Sequence, residues 1–381
     1  MQIFEHNPAV VNIYHRAMRL FICKDFAAHY KDKVTPIAQQ TSEQENSRRQ
    51  LLSVEVQAQQ DKTIAEQDEE FFQKQVKRQF FNRLISKVNK DFGNKEYFYH
   101  HVLRIEDACP TILDVLSTPS ASVNEIKDLV DSMAWLSSNL IHLVNKPQYR
   151  TRADIQVNDA KLALSYIGLN NVKWVMPTLI LKHWLPVSTA PYGLMKQKLW
   201  NDSLSVALAA RCLSLRTKQD PFTVFAAAML TNIGNIAITS CFFSSFNELH
   251  KQQVNMAFNN QDKHLHDVLL NTKISKELLL EQLIIRSASL SADLISIMAF
   301  NHLAITKPIV DLACTNTTDK MHPTARLIVK AKAFVTYRSL FKEGLITPDE
   351  SEALFDAANL TTSEVALLQE ADIAHIKLHF S

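Results

Sequence analysis

"FTVFAAAMLTNIGNIAITSCFF" (residues 222–243) lies in a charge-free run from Pro221 to Asn247 and is about as long as a bilayer crossing requires. Its centre argues against that reading. Thr231, Asn232 and Asn235 cluster there, and hydrocarbon would leave their donors and acceptors unpaired. The stretch reads instead as a buried helix, a turn at Gly234 and a second helix, with Asp220 as N-cap and Pro221 in the first helical position. No membrane association is expected. Residues 229–238, "MLTNIGNIAI", also have the outline of a catalytic metal motif, but neither a hydroxyl nor a carboxamide is a strong metal ligand.

Working outward, the chain is 381 residues long with five glycines: Gly93, Gly168, Gly193, Gly234 and Gly344. Glycines this far apart write no phosphate-binding loop and no dinucleotide fingerprint, and they are too few for many tight hairpins. With abundant Leu, Ala, Lys and Gln, the composition predicts an all-α fold of helices joined by short turns. Hydrophobic content of 46% with 21% charged residues is that of a globular protein. Cys23, Cys109, Cys212, Cys241 and Cys314 form no Cys-x-x-Cys, which argues against a disulfide framework or zinc site and suits a reducing compartment. The N-terminus has no basic segment followed by an apolar run, so no secretory signal is expected and the location is expected to be cytoplasmic.

Helical periodicity dominates. Residues 8–38 carry apolar positions at helical spacing, 39–50 ("QQTSEQENSRRQ") read as a linker, and a long, sparsely apolar helix follows with Leu52, Val56 and Ile64 along one stripe. Its segment "EQDEEFFQKQVKRQFFNR" (66–83) is acidic and then basic, an order that suits the helix macrodipole. With a net charge of +2, it predicts a solvated face and no nucleic-acid contact. Phe71, Phe72, Phe80 and Phe81 look like packing residues. The helix packs on the rest of the chain or on another copy, so a homodimer through it stays open. Ser122 and Glu125 have capping-box spacing, Asn158 or Asp159 caps the next helical block, and Gly168 turns it.

The succession "ACPTILDVLSTPSASVNEIKDLV", "WLSSNLIHLVNKP", "DAKLALSYIGLNNVKWVMPTLIL", "LWNDSLSVALAARCLS" and "FAAAMLTNIGNIAI" resembles the HDOD domain. That family is a bacterial signalling and output module related to the HD metal-dependent phosphohydrolases. The likeness implies an all-α HDOD-like domain over 99–304, an N-terminal helical extension over 1–98 and a C-terminal helical segment over 305–381. Gly168, Trp200 and Gly234 carry the packing framework. In catalytic HD relatives a His-Asp pair precedes the Ile-Gly turn; here Thr231-Asn232 stand there, Asp202 stands where an upstream His is expected, and Asn301-His302 stand near a downstream pair.

A hydrolytic centre needs anionic or imidazole ligands that bind a dication and lower the pKa of its water. Asp202 and His302 are too few, so no catalytic residue, metal or cofactor is expected, and Thr231 and Asn232 are expected to hydrogen-bond within a helix junction. In "DKHLHD" (262–267), His264 and His266 point in different directions on a helix; His264 and Asp267 share a face but read as solvated. His100-His101 read the same way. The expectation is a non-catalytic regulatory protein acting through an unidentified signalling partner. The alternatives are an HD-type phosphohydrolase with unorthodox ligands, or a module sensing a small nucleotide.

Overall fold

The structure is a computed structural model and describes residues 7–32, 53–147, 156–315, 317–376 and 378. Among the described residues there is no strand. The helices are α1 (Pro8–Ile22), α2 (Lys24–Asp32), α3 (Ser53–Phe92), α4 (Lys95–Tyr97), α5 (Ala108–Ser117), α6 (Val123–Asp131), α7 (Ala134–Val144), α8 (Ala160–Ile167) and α9 (Leu169–His183). They continue with α10 (Met195–Ser214), α11 (Pro221–Leu230), α12 (Ile233–Asn259), α13 (Lys263–Leu270), α14 (Lys276–Ile297), α15 (Thr306–Cys314), α16 (Pro323–Lys342), α17 (Pro348–Ala357) and α18 (Thr362–Glu370).

Local chemistry sets these boundaries. Ser122 and Glu125 form the expected capping box at α6. Asp159 rather than Asn158 caps α8, accepting from the Leu162 N–H at 3.0 Å. Gly168 ends α8 at φ +72°, a left-handed conformation that strains other residues, and α9 starts immediately after it. Asp220 accepts from the Thr223 N–H at 2.8 Å with Pro221 in the first turn of α11. Thr347 with Glu350 and Thr361 with Glu364 build two further capping boxes.

The chain forms two compact units. The larger comprises residues up to Ala28, Asn94–Cys241, and from Lys276 onward; the smaller comprises His29–Gly93 and Phe242–Ser275. This differs from the linear division into 1–98, 99–304 and 305–381. In the larger unit α1 and α16 both pack on α10, so the chain's outer segments build one core with its centre. Arg16 on α1 makes a bidentate contact with Glu350 on α17 (2.8 and 2.9 Å) and donates to the Leu345 carbonyl at 2.7 Å. Phe98, Ile112, Leu113, Phe225 and Phe334 are fully buried there, each worth about 1.5–3 kcal/mol relative to exposure.

The apolar stretch is enclosed by the fold: 89% of its most apolar portion is buried inside the protein. Its turn is also displaced from the expected place. α11 ends at Leu230, the turn is Thr231-Asn232, and Gly234 already lies in the first turn of α12. Gly234 serves close approach instead. A Cβ there would sit 2.1 Å from the Ser287 carbonyl oxygen and 2.7 Å from Ser291 Oγ on α14.

In the smaller unit, α3 packs along α13. Phe80, Leu84 and Val88 are buried, and Phe80 meets Phe246 and His250 edge-on. Phe72 stacks on His264 at 4.1 Å. Phe71 departs from the packing role expected of it and is 67% exposed. Of the expected stripe, Leu52 lies outside the described residues, as does the linker over 39–50, and Ile64 is exposed. Glu66 stands more than three turns beyond Ser53, so the acidic cluster lies too deep in α3 for the macrodipole to explain it.

Candidate functional site

Two helices of the larger unit and one turn bring polar groups together at the place that the HD-type ligands occupy in the resemblance. Asp202 projects from α10, Asn232 from the turn between α11 and α12, and Lys332 from α16. Asn232 is almost fully buried and its hydrogen bonds are complete. Its Nδ2 donates to Asp202 Oδ2 at 2.8 Å and to Ser203 Oγ at 3.1 Å, while its Oδ1 accepts from Asn235 Nδ2 at 3.3 Å. The orientation of that carboxamide follows from chemistry, because an ionised carboxylate can only accept. Ser203 Oγ donates its own hydrogen bond to the Leu199 carbonyl at 2.8 Å. Asn235 Oδ1 is buried with no hydrogen-bond partner.

Thr231 takes no part in this cluster. As C-cap of α11 it turns its hydroxyl back to the Ala228 carbonyl at 2.8 Å. Its own carbonyl lies 2.9 Å from Ser291 Oγ, which also accepts the Gly234 N–H at 2.9 Å. The junction between α11, α12 and α14 is therefore closed by one serine hydroxyl over the glycine.

Two charges dominate the electrostatics. Burial raises the pKa of Asp202 above the usual carboxylate range, and the Asn232 hydrogen bond and the Lys332 charge oppose that rise. Burial lowers the Lys332 pKa to about 8, and the Asp202 carboxylate opposes that fall. Both side chains are enclosed on most sides, yet each keeps some solvent contact and they stand outside direct ion-pair distance. Tyr14 on α1 completes the surroundings, its phenol pushed well above its ordinary pKa by burial and by the Asp202 charge.

Sequence reading did not single out Lys332. The signal is present in "LIVKAKAFV" (327–335): Lys332 follows Ile328 by four residues and precedes Val335 by three, which places a cation on the buried stripe of α16. Lys330, on another side of the same helix, is accounted for by Glu364 at 2.7 Å.

His302 does not join the cluster. Asp114 holds its loop through the backbone N–H groups of His302 and Leu303, each at 2.8 Å, and the His302 side chain is exposed. It is not among the groups acting on Asp202. Trp200 is partly exposed, with the Lys182 ammonium 5.8 Å from its ring. In the smaller unit, His264 is engaged by Glu69 and Phe72, and His266 by Asp267 at 3.5 Å. His100 lies 3.3 Å from Glu96 and His101 packs on Tyr97. Among the described residues no group of three or more His, Cys, Asp or Glu side chains is arranged to hold a metal ion.

The donor set itself does not fit a dication. Asp202 supplies one carboxylate, and the groups acting on it are an N–H₂ at 2.8 Å and, from beyond ion-pair distance, an ammonium, both of which repel a cation.

Residues 104–279 match the family model of the HDOD domain. No curated protein matches the chain in sequence. Among solved structures, it is similar to a candidate phosphohydrolase from Shewanella amazonensis SB2B, with 16% identity, 75% of this chain and 92% of the other covered, and a TM-score of 0.45. It is also similar to an HDOD domain protein from Geobacter sulfurreducens, with 18% identity, coverage of 70% and 92%, and a TM-score of 0.38. A third is the MmoQ response regulator from Methylococcus capsulatus str. Bath, with 15% identity, coverage of 70% and 97%, and a TM-score of 0.30. None of these likenesses carries an activity over to this chain.

Proposed function

We propose that this protein is a non-catalytic regulatory protein whose HDOD domain presents helical surfaces to a protein partner. The observation that supports this is the reversal of polarity at Asp202. Where a hydrolase would aim ligands at a dication, Asn232 aims an N–H₂ at the carboxylate and Lys332 supplies the positive charge. An ammonium fixed in the fold neutralises Asp202 without ionising a water, because it offers no open coordination position. Gly234, the Ser291 hydroxyl and the α10–α16 contact retain the packing of the domain while its centre is neutralised in this way.

The test is metal loading with a hydrolysis assay. The purified chain is dialysed against Mn²⁺, Fe²⁺, Mg²⁺ or Zn²⁺, its retained metal is measured, and phosphomonoester and phosphodiester cleavage is followed. The expected result is no stoichiometric ion that depends on Asp202 and no hydrolysis above buffer. A stoichiometric ion and a turnover that both vanish in Asp202→Asn would overturn the reading in favour of a phosphohydrolase.

A further inference from the structure

We propose that α3 pairs antiparallel with α3 of a second copy of this chain, a contact independent of the Asp202 site. Ile64, Asp68, Phe71, Gln75, Arg78 and Asn82 follow one another at alternating spacings of four and three, so they form one seam along the helix, and all six are exposed. Ile64 is 56% and Phe71 67% exposed, whereas Phe72, Phe80, Leu84 and Val88 are committed to their own unit. Ile64 and Phe71 are the apolar side chains that this seam offers to a second helix.

Charge identifies that helix. Of residues 66–70, Glu66, Asp68, Glu69 and Glu70 are acidic; from 74 to 90 there are six cations (Lys74, Lys77, Arg78, Arg83, Lys87, Lys90) and no acid. The macrodipole does not explain this order, since both blocks lie within a helix of 40 residues. Several of these charges are already engaged inside the chain: Glu70 with Lys74 at 2.8 Å, Lys87 with Glu248, and Glu69 with His264. Asp68 and Arg78 make no ion pair among the described residues, and both sit on the seam.

A parallel pair of α3 helices would set acid against acid. An antiparallel pair centred on Gln73 sets Asp68 of each copy opposite Arg78 of the other, because both lie five residues, about 7.5 Å, from the centre. Phe71 lies two residues from the same centre, so the two rings cover each other across the twofold axis. The contact is isologous and closes as a dimer.

The test is sedimentation velocity of the full-length protein between about 1 and 100 μM, at low and high salt, with unchanged thermal melting as the check that each variant is folded. A dimer that weakens as salt rises is expected. Asp68→Arg and Arg78→Asp should each weaken it roughly tenfold or more, since each creates two like-charge contacts. Mixing those two variants, or combining them in one chain, should restore the dimer, and Phe71→Glu should abolish it. A monomer at 100 μM in low salt, a dimer strengthened by salt, charge variants that are not rescued by each other, or a dimer indifferent to Phe71→Glu would each overturn the proposal. None of these outcomes bears on metal binding at Asp202.

Discussion

Lys332 on α16 faces Asp202 on α10 beyond ion-pair distance, and the Asn232 carboxamide bonds the same carboxylate. Each charge would be poorly tolerated in this setting without the other, because enclosure by protein removes most of the water that would solvate it. The two come from helices about 130 residues apart in sequence, one inside the matched domain and one beyond its end. Helix α16 thus supplies the counter-charge from outside the matched residues.

A double-mutant cycle measures that dependence. Lys332→Met leaves Asp202 with only the carboxamide, and Asp202→Asn leaves the ammonium facing a neutral amide. Each change alone should destabilise by about 1–3 kcal/mol, less than for a dry ion pair because both groups keep some solvent contact. The double variant should recover at least about 1 kcal/mol of the summed cost in urea unfolding. Strict additivity would show that the two charges do not sense each other.

The pH dependence follows from the Lys332 shift. Its pKa is about 8 in the fold against 10.5 for the unperturbed side chain, so between those values the unfolded chain binds more protons than the folded one. Stability contributed through this group therefore rises with pH across that window. The charging cost is fully present below pH 8 and is gone above about 10.5. Urea unfolding of the protein and of Lys332→Met at pH 7.5, 9 and 10.5 should show the difference moving in favour of the unsubstituted chain, by at most about 3 kcal/mol. A difference that is flat across this range would mean that Lys332 titrates normally.

Gly234 offers a steric test of the junction. An added Cβ would meet the Ser287 carbonyl at 2.1 Å, and backbone cannot swing away as a flexible side chain can. Gly234→Ala should cost about 1–3 kcal/mol through overpacking, which exceeds the gain expected from replacing a helical glycine. Gly193→Ala, where a Cβ meets nothing within 4 Å, is the control and should stay within about 0.5 kcal/mol in thermal melts. Equal melting temperatures for the two variants would refute the close-approach role.

Much of the fold is readable from the sequence because the signals are local. The capping box at Ser122, the caps at Asp159 and Asp220 and the turn at Gly168 depend only on neighbours within four residues. The central domain is readable from the order of its helical segments. The turn was misplaced because Gly234 carries two indistinguishable signals, turning and close packing, and only the approach of α14 separates them. Asp202 and Asn232 are marked by their place in the succession of helical segments, while Lys332 is hidden by its distance along the chain. His302 was expected nearby, but the bonds from its backbone to Asp114 hold its side chain outward instead. The attachment of α1 is hidden for the same reason, since it depends on Glu350, over 330 residues away.

That attachment depends on pH. Burial opposes it, but the Arg16 hydrogen bond holds the Glu350 pKa below its ordinary value of 4.5, helped by the Thr347 N–H. A carboxylate with a depressed folded pKa contributes stability above its unfolded pKa and loses it as pH falls through the folded value. Glu350→Gln isolates the ion pair, since glutamine at this third helical position can still close the Thr347 capping box. At pH 7 the substitution should cost about 1 kcal/mol, a modest figure because both side chains are partly exposed. Toward pH 3 the difference between the two proteins should shrink, as the glutamate becomes protonated and the pair dissolves. Chemical unfolding at pH 7, 5, 4 and 3 reads this directly. A cost that persists unchanged at pH 3 would show that the ionised pair with Arg16 is not the source of the stability.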